Sequence, residues 1–280
     1  MKFISFSINN QLSFGVVDQE RVIDLGARLP QTSLISTLTD GSLRHLQDQA
    51  LKYDADYALS DVQFHKPLLD EGRFICIGRN YRGHLAEANM KMPDFPSMFI
   101  RLGSSVVAHQ QNIILPKVSN QFDFEGELAV VIGKVGRHIS RQDALSHIAG
   151  YSIFMDGSIR DFQFAHSLTA GKNFFGTGGF GPYFVSADEV GDPSSLQLHT
   201  RLNGVEVQHT KTDDLIFDIP YLIEYISSYT PLLPGDIIAT GTPEGVGFAR
   251  NPPLWMKAGD QLEVEISHLG ILKNSVVAEI

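Results

Sequence analysis

The chain has 280 residues, 43% of them apolar and 19% charged, with a formal net charge of −10. That is ordinary globular composition, enough for one large domain or a small domain beside a larger one. Such acidity repels a polyanion, and no cluster of lysine and arginine with interleaved aromatics offsets it, so nucleic acid is not an expected partner. The apolar runs are strand-sized, which argues against a transmembrane helix and a membrane partner. The apolar run after Lys2 is too short for a signal-peptide core. Cys76, the single cysteine, cannot close an internal disulfide and reads as a small buried hydrophobe. Both features fit a cytoplasmic protein.

In chain order, KFISFSI, FGVVD and RVIDL read as strands joined by polar turns. Leu43, Leu46, Ala50, Tyr53 and Tyr57 recur at helical spacing and predict a helix over 42–59. PLLDEGR then leads into a strongly apolar strand. A boundary near residue 68 follows, with a small α+β N-terminal domain over 1–68 and a strand-rich main domain over 69–280. In that main domain RFICIG, SMFIR, NIILP, ELAVVIG, YSIFMD, LHTRLN, DIIAT and QLEVEIS are strand candidates. Helices are predicted over 82–89, 141–148 and 218–228, the second with Ser140 and Asp143 as an N-cap pattern. Strands and helices do not alternate regularly, which argues against a doubly wound parallel sheet.

The strongest chemical signal is Asp123-Phe124-Glu125-Gly126-Glu127, opening the strand ELAVVIG. Residues two apart on a strand share a face, so Glu125 and Glu127 point the same way. Two such carboxylates repel unless they are solvated or a cation lies between them, and spacing alone leaves both readings open. Asp156, at the end of YSIFMD, supplies a third. Three carboxylates completed by water suit a hard cation, Mg²⁺ or Mn²⁺, with Ca²⁺ able to take their place in crystals. No His or Cys lies near them in sequence, which disfavours zinc.

His84 and Glu87 are three apart on a predicted helix, where the acid can reach the ring. Such a pair is either a general base or a solvated helix pair. Lys172, in GKNFF, must reach water or an anion. Arg160 and Gln163 flank Asp161 in a short helical segment suited to binding a carboxylate or to solvating the helix end. Gly176-Thr177-Gly178-Gly179-Phe180-Gly181 matches a dinucleotide fingerprint, but PYFV follows as a strand, not the helix a phosphate turn needs.

In order, these pieces resemble the fumarylacetoacetate hydrolase superfamily over roughly residues 69–280. The matching segments are Ile75–Tyr81, the His84/Glu87 pair, Glu125-Gly126-Glu127, Asp156, Arg160-Asp161-Phe162-Gln163, Gly171-Lys172, and LPGDIIATGTPEGVG near the C-terminus. The resemblance implies a mixed β-sandwich roll with a small N-terminal domain, assembled as a homodimer. It implies metal ligands at Glu125, Glu127 and Asp156 and catalytic roles for His84, Glu87 and Lys172. It places substrate contacts at Arg79, Tyr81, Arg160, Gln163, Gly241 and Thr242. The implied activity is metal-dependent hydrolysis of a C–C bond in a 2,4-dioxo acid such as an acylpyruvate. Oxaloacetate decarboxylation, or isomerase or lyase chemistry on another 2-oxo acid, is the alternative on the same scaffold. Arg101-Leu102 departs from the family's usual Lys-Pro, on a strand expected to approach the pocket. The segment 82–89, between Gly83 and the Lys91-Met92-Pro93-Asp94 stretch, is expected to act as a lid.

Overall fold

The strand Gly126–Ile132 lies at the centre of the molecule, and all seven of its residues are buried. Its side chains alternate between two cores. Leu128, Val130 and Ile132 point into the largest cluster, with Leu198, Val264 and Leu272. Ala129 packs on the other side with Phe74, Phe154 and Ile237, and Val131 with Phe184, Leu34 and Leu38. Burial on both faces is why this segment reads as a continuous apolar run instead of an alternating one.

The computed structural model describes residues 1–69 and 72–280. Asp70 and Glu71, in the segment where the sequence changes character, lie outside the described residues. The fold is mainly β, a mixed sandwich of two large sheets with a separate two-stranded ribbon, Phe122–Asp123 paired to Ser158–Ile159. The larger runs Tyr57–Ala58, Arg21–Asp24, Gln11–Asp18, Lys2–Ile8, Gly178–Ser186, Ile148–Met155, Gly126–Ile132, Ile237–Ala239, Phe74–Gly78, Ser97–Arg101. The smaller runs Val205–Lys211, Gln197–Leu202, Gln261–Ile266, Gly270–Ala278, Ile113–Leu115. The first strand of the chain pairs with Gly178–Ser186, Lys2 opposite Val185, so one sheet runs through both sides of position 68. No helix of the described residues is long and apolar enough to cross a membrane.

Most strand readings match. The predicted helix over 42–59 does not run its full length: it ends at Ala50, because Tyr57–Ala58 is drawn into the sheet opposite Arg21 and Val22. Tyr53, counted on the helix face, instead lies under the Arg28 guanidinium, 4.7 Å from its ring centroid. The predicted helix over 141–148 shrinks to a 3₁₀ turn, Ala144–His147. The Ser140–Asp143 pattern closes a local turn just ahead of it, with the Asp143 N–H on Ser140 Oγ at 3.2 Å. The helix Leu34–Thr39 is absent from the sequence reading, although Ser33 and Ser36 form a reciprocal capping box at its start. Of the fingerprint-like glycines, Gly176 lies in a turn and Gly178, Gly179 and Gly181 lie in the strand Gly178–Ser186, which runs on past Gly181 in place of a helix.

Candidate active site

Register brings the three carboxylates together. Gly126 sits opposite Met155 on the antiparallel neighbour, and the Asp156 N–H continues the ladder to the Glu125 carbonyl at 2.8 Å. Asp156 therefore emerges beside the Glu-Gly-Glu segment. One oxygen from each of Glu125, Glu127 and Asp156 lies within 4.8 Å of the others, and all three residues are buried. Sequence spacing left a solvated face open, and burial excludes it.

Lys172 is also buried, in place of the water-reaching lysine the sequence allowed. Its Nζ donates to Glu125 Oε2 at 2.5 Å and to Asp156 Oδ2 at 2.7 Å. It reaches the site because the helix Leu168–Lys172 ends there, capped by Ser167 at its start. Arg160 Nη2 holds the other Glu125 oxygen, and its Nε holds Asp123 Oδ2 at 2.8 Å. Its Nη1 donates to Gln163 Oε1 at 2.9 Å, and its guanidinium lies 4.5 Å from the Phe248 ring centroid. Asp123 is no part of the oxygen cluster. It accepts the N–H groups of Gly247 and Phe248 and so ties the C-terminal signature to Arg160.

Charge is shared unequally. Burial works to raise the Glu125 carboxyl, but Arg160 and Lys172 outweigh it and bring it to about 2. Glu127 forms no ion pair among the described residues. Burial, then the Asp156 and Glu125 charges, hold it well above the ordinary carboxylate range. Burial works against the Lys172 ammonium too, yet Asp156 and Glu125 carry it upward. A buried carboxyl beside two like charges, with only the Gly241 N–H at 3.0 Å on its Oε2, is what a cation would relieve. The all-oxygen donor set therefore fits a hard divalent metal. A cation here must displace the proton of Glu127, so its binding is expected to release protons. Below the raised value, apparent affinity should fall by about tenfold per pH unit for one displaced proton. Calorimetry in buffers of different ionisation enthalpy measures that proton count.

His84 and Glu87 form the expected pair on the helix Arg82–Glu87, with Nδ1 and Oε1 2.8 Å apart. Glu87 Oε2 accepts the Gly245 N–H at 2.7 Å. With both its oxygens accepting, Nδ1 is the proton-bearing nitrogen, and Nε2 is left as a base. Gly245 can do this only as glycine: its φ is +98°, and a Cβ would stand 2.1 Å from the Val207 carbonyl oxygen. The segment expected as a lid is thus already fastened to the signature turn. Its lower flank is fixed as well, because Asn80 Nδ2 donates to the Thr240 and Phe217 carbonyls while its Oδ1 accepts the Phe217 N–H.

Part of this constellation lines one cavity of about 360 Å³. Arg79, His84, Glu125, Glu127, Arg160, Gln163, Lys172 and Thr242 all reach it, with Ile77, Phe99, Phe164, Leu168 and Phe248 as apolar wall. Two expected substrate contacts lie elsewhere. Tyr81 is fully buried in the main core, its hydroxyl unpartnered, and Gly241 meets Glu127 through its backbone. Arg79 is exposed, has φ +60°, and makes no ion pair among the described residues.

The strand Ser97–Arg101 approaches the cavity as expected, through Ser97 and Phe99, but Arg101 itself does not line it. It lies behind Asp156, where its N–H groups reach Asp156 Oδ1 at 2.6 Å, the Gly157 and Ser105 carbonyls, Ser105 Oγ and Thr177 Oγ1. Arg101→Met takes from buried Asp156 one of its two cations, leaving Lys172, and is expected to cost about 3–5 kcal/mol of stability. Arg101→Lys keeps the charge but cannot reach all five acceptors, so denaturant unfolding should place it between Arg101→Met and the parent.

Fold and site together define an enzyme scaffold with an acidic cluster able to hold a cation and a histidine–carboxylate pair beside one cavity. The family model of the fumarylacetoacetate (FAA) hydrolase C-terminal domain matches residues 73–277, and the chain belongs to that family. Among its relatives, "Oxaloacetate tautomerase YisK" of Bacillus subtilis is 36% identical over 300 aligned positions, covering 99% of this chain and 100% of that protein. "Oxaloacetate tautomerase FAHD2A, mitochondrial" of Bos taurus is 41% identical over 221, covering 78% and 70%. The solved structure of "maleylpyruvate hydrolase from Sphingobium sp. SYK-6 in complex with manganese (II) ion and pyruvate" superposes with a TM-score of 0.83 at 28% identity, covering 100% of both chains.

Proposed function

We propose that the protein is a Mg²⁺- or Mn²⁺-dependent enzyme that interconverts the keto and enol forms of a small 2-oxo dicarboxylic acid of the oxaloacetate type. The observation that carries this reading is that one cavity of about 360 Å³ is lined both by Glu125 and Glu127, whose cluster Asp156 completes, and by His84, whose ring Glu87 holds. That volume suits a compact acid. The names of the relatives at 36–41% identity support the same substrate. Arg79 supports the second carboxylate, as a pocket cation that no residue of the chain neutralises among those described.

When bound, the metal supplies a Lewis acid that polarises the 2-oxo group and favours the enolate. The chain's own residues do the rest. His84 Nε2 takes the proton from the carbon beside the keto group, Glu87 supports the imidazolium that forms, and the proton is returned to the enol oxygen. Lys172 holds the Glu125 and Asp156 carboxylates aimed at one point. Phe99, Phe164 and Phe248 limit water in the cavity.

Hydrolysis of a 2,4-dioxo acid is a second reading, favoured by the same ordered dyad, since a general base that removes a carbon-bound proton can also activate water. The test is to follow loss of enol absorbance from oxaloacetate and pyruvate release from acylpyruvates with one metal-loaded preparation. Faster tautomerisation supports the first reading, and faster pyruvate release supports the second.

The working unit is proposed to be a homodimer. Phe95 and Leu102 are 63% and 59% exposed, and Phe95 stacks on Tyr225 of the helix Ile219–Tyr229 at 6.3 Å. A second copy would cover this apolar face beside the edge strand Ser97–Arg101. Light scattering at micromolar concentration is expected to give twice the chain mass, and a monomer overturns the assignment. The single cysteine, buried as Cys76, suits a reducing compartment such as the cytoplasm.

A further inference from the structure

A second group of metal-ligating side chains lies outside the active site, on the outer face of the hairpin Gln197–Leu202 and Val205–Lys211. Glu206 and His209 are three apart, and in a regular strand they would point to opposite faces. They do not, because the register shifts there: Thr200 faces Gln208, the next residue Arg201 faces Glu206, and Val207 is left without a partner. This bulge turns Glu206 to the same side as His209. His199 stands directly opposite His209, and the two rings stack with centroids 4.2 Å apart and planes 25° apart.

Glu206 bridges them, with Oε2 2.8 Å from His199 Nδ1 and Oε1 3.7 Å from His209 Nδ1. One donor atom from each of the three lies within 4.8 Å of the others. The neighbouring cation Arg201 is held by Glu265 at 2.7 Å. Two imidazoles and a carboxylate suit a borderline divalent ion, unlike the all-oxygen active-site cluster, which suits a hard one.

We propose that His199, Glu206 and His209 form a separate surface site for a borderline transition-metal ion such as Zn²⁺, with its remaining coordination positions open to solvent. The site is independent of the proposed activity. The bulge is the feature that argues for it, since without the extra residue the three groups could not converge.

The test is calorimetric titration of Zn²⁺ into metal-stripped protein resupplied with saturating Mg²⁺, so that the carboxylate cluster is filled. One Zn²⁺ per chain is expected to bind at the hairpin. His199→Ala and His209→Ala should each weaken it by about 100-fold, and Glu206→Gln by about tenfold. Glu206 and His209 are exposed and His199 is half-buried, so metal-free melting temperatures should stay near the parent value and show that each variant is folded. Glu127→Gln should keep this Zn²⁺ binding, which separates it from the active site. Equal Zn²⁺ stoichiometry and affinity in the parent and in the His199→Ala/His209→Ala double variant would overturn the proposal.

Discussion

Glu127→Gln is expected to bind Mg²⁺ or Mn²⁺ more than ~100-fold more weakly than the parent, beyond the upper end of what losing an outer-shell partner costs a metal site. The residue is isosteric, so the cavity keeps its shape, and Gln still meets the Gly241 N–H through its side-chain oxygen. The same change should have the opposite sign on the metal-free fold. Glu127 has a folded value above its unfolded one, because burial and the Asp156 and Glu125 charges disfavour its ionised form. The folded state then holds the extra proton, so metal-free stability falls as pH rises from the unfolded value of about 4.3 through the raised one. Glu125 contributes oppositely. Its folded value of about 2 gives stability that is present above about 4.3 and lost as pH falls towards 2. Denaturant unfolding without metal should therefore find Glu127→Gln at least as stable as the parent at neutral pH and above. Added Mn²⁺ should stabilise the parent alone. Equal Mn²⁺ affinity in the two proteins would remove Glu127 from the ligand set.

His84→Ala is expected to lower turnover by ~10²–10⁴-fold while Mn²⁺ affinity stays near the parent value. Removing the ring leaves Glu125, Glu127 and Asp156 in place, because none of them bonds to it. Glu87→Gln should lose a smaller part of the rate. Its amide can offer only one oxygen to two donors, Gly245 N–H and His84 Nδ1–H, so the imidazole loses either its orientation or its tautomer. Turnover and Mn²⁺ titration on the same preparations separate these effects. Parent turnover in His84→Ala would place the base elsewhere.

The carboxylate cluster was legible because a strand carries its chemistry in a period of two. Glu125 and Glu127 announce a shared face, and an acid closing an apolar run marks Asp156. The second half of the site was less legible. Whether Lys172 met water or anions depended on which strands its helix ended against, and sequence spacing holds no such information. Arg101 shows the same limit. Its strand was expected to approach the pocket and does so, but only the packing of Ser105, Gly157 and Thr177 around the guanidinium reveals a support for Asp156. Asp123 was visible beside the Glu-Gly-Glu segment, yet its role depends on the return of Gly247 and Phe248 from the far end of the chain.

In the fold, long apolar strands were read correctly, and the errors fell where tertiary pairing overrode local pattern. Tyr57 keeps helical spacing with Tyr53 but joins a sheet edge. The hairpin partner Val205–Lys211 carries His, Gln and Glu among few apolar residues, so its strand character comes from pairing with Gln197–Leu202 and not from hydrophobic alternation.

The central claim is that His84 removes a proton from the carbon beside the keto group of a 2-oxo acid held at the carboxylate cluster. Proton NMR of oxaloacetate in D₂O reads that step as loss of the C3 signal, above the spontaneous rate. Metal-loaded parent protein is predicted to accelerate the exchange, while His84→Ala and EDTA-treated parent leave it at the spontaneous rate. Acceleration by the EDTA-treated parent, or by His84→Ala at the parent rate, would contradict it.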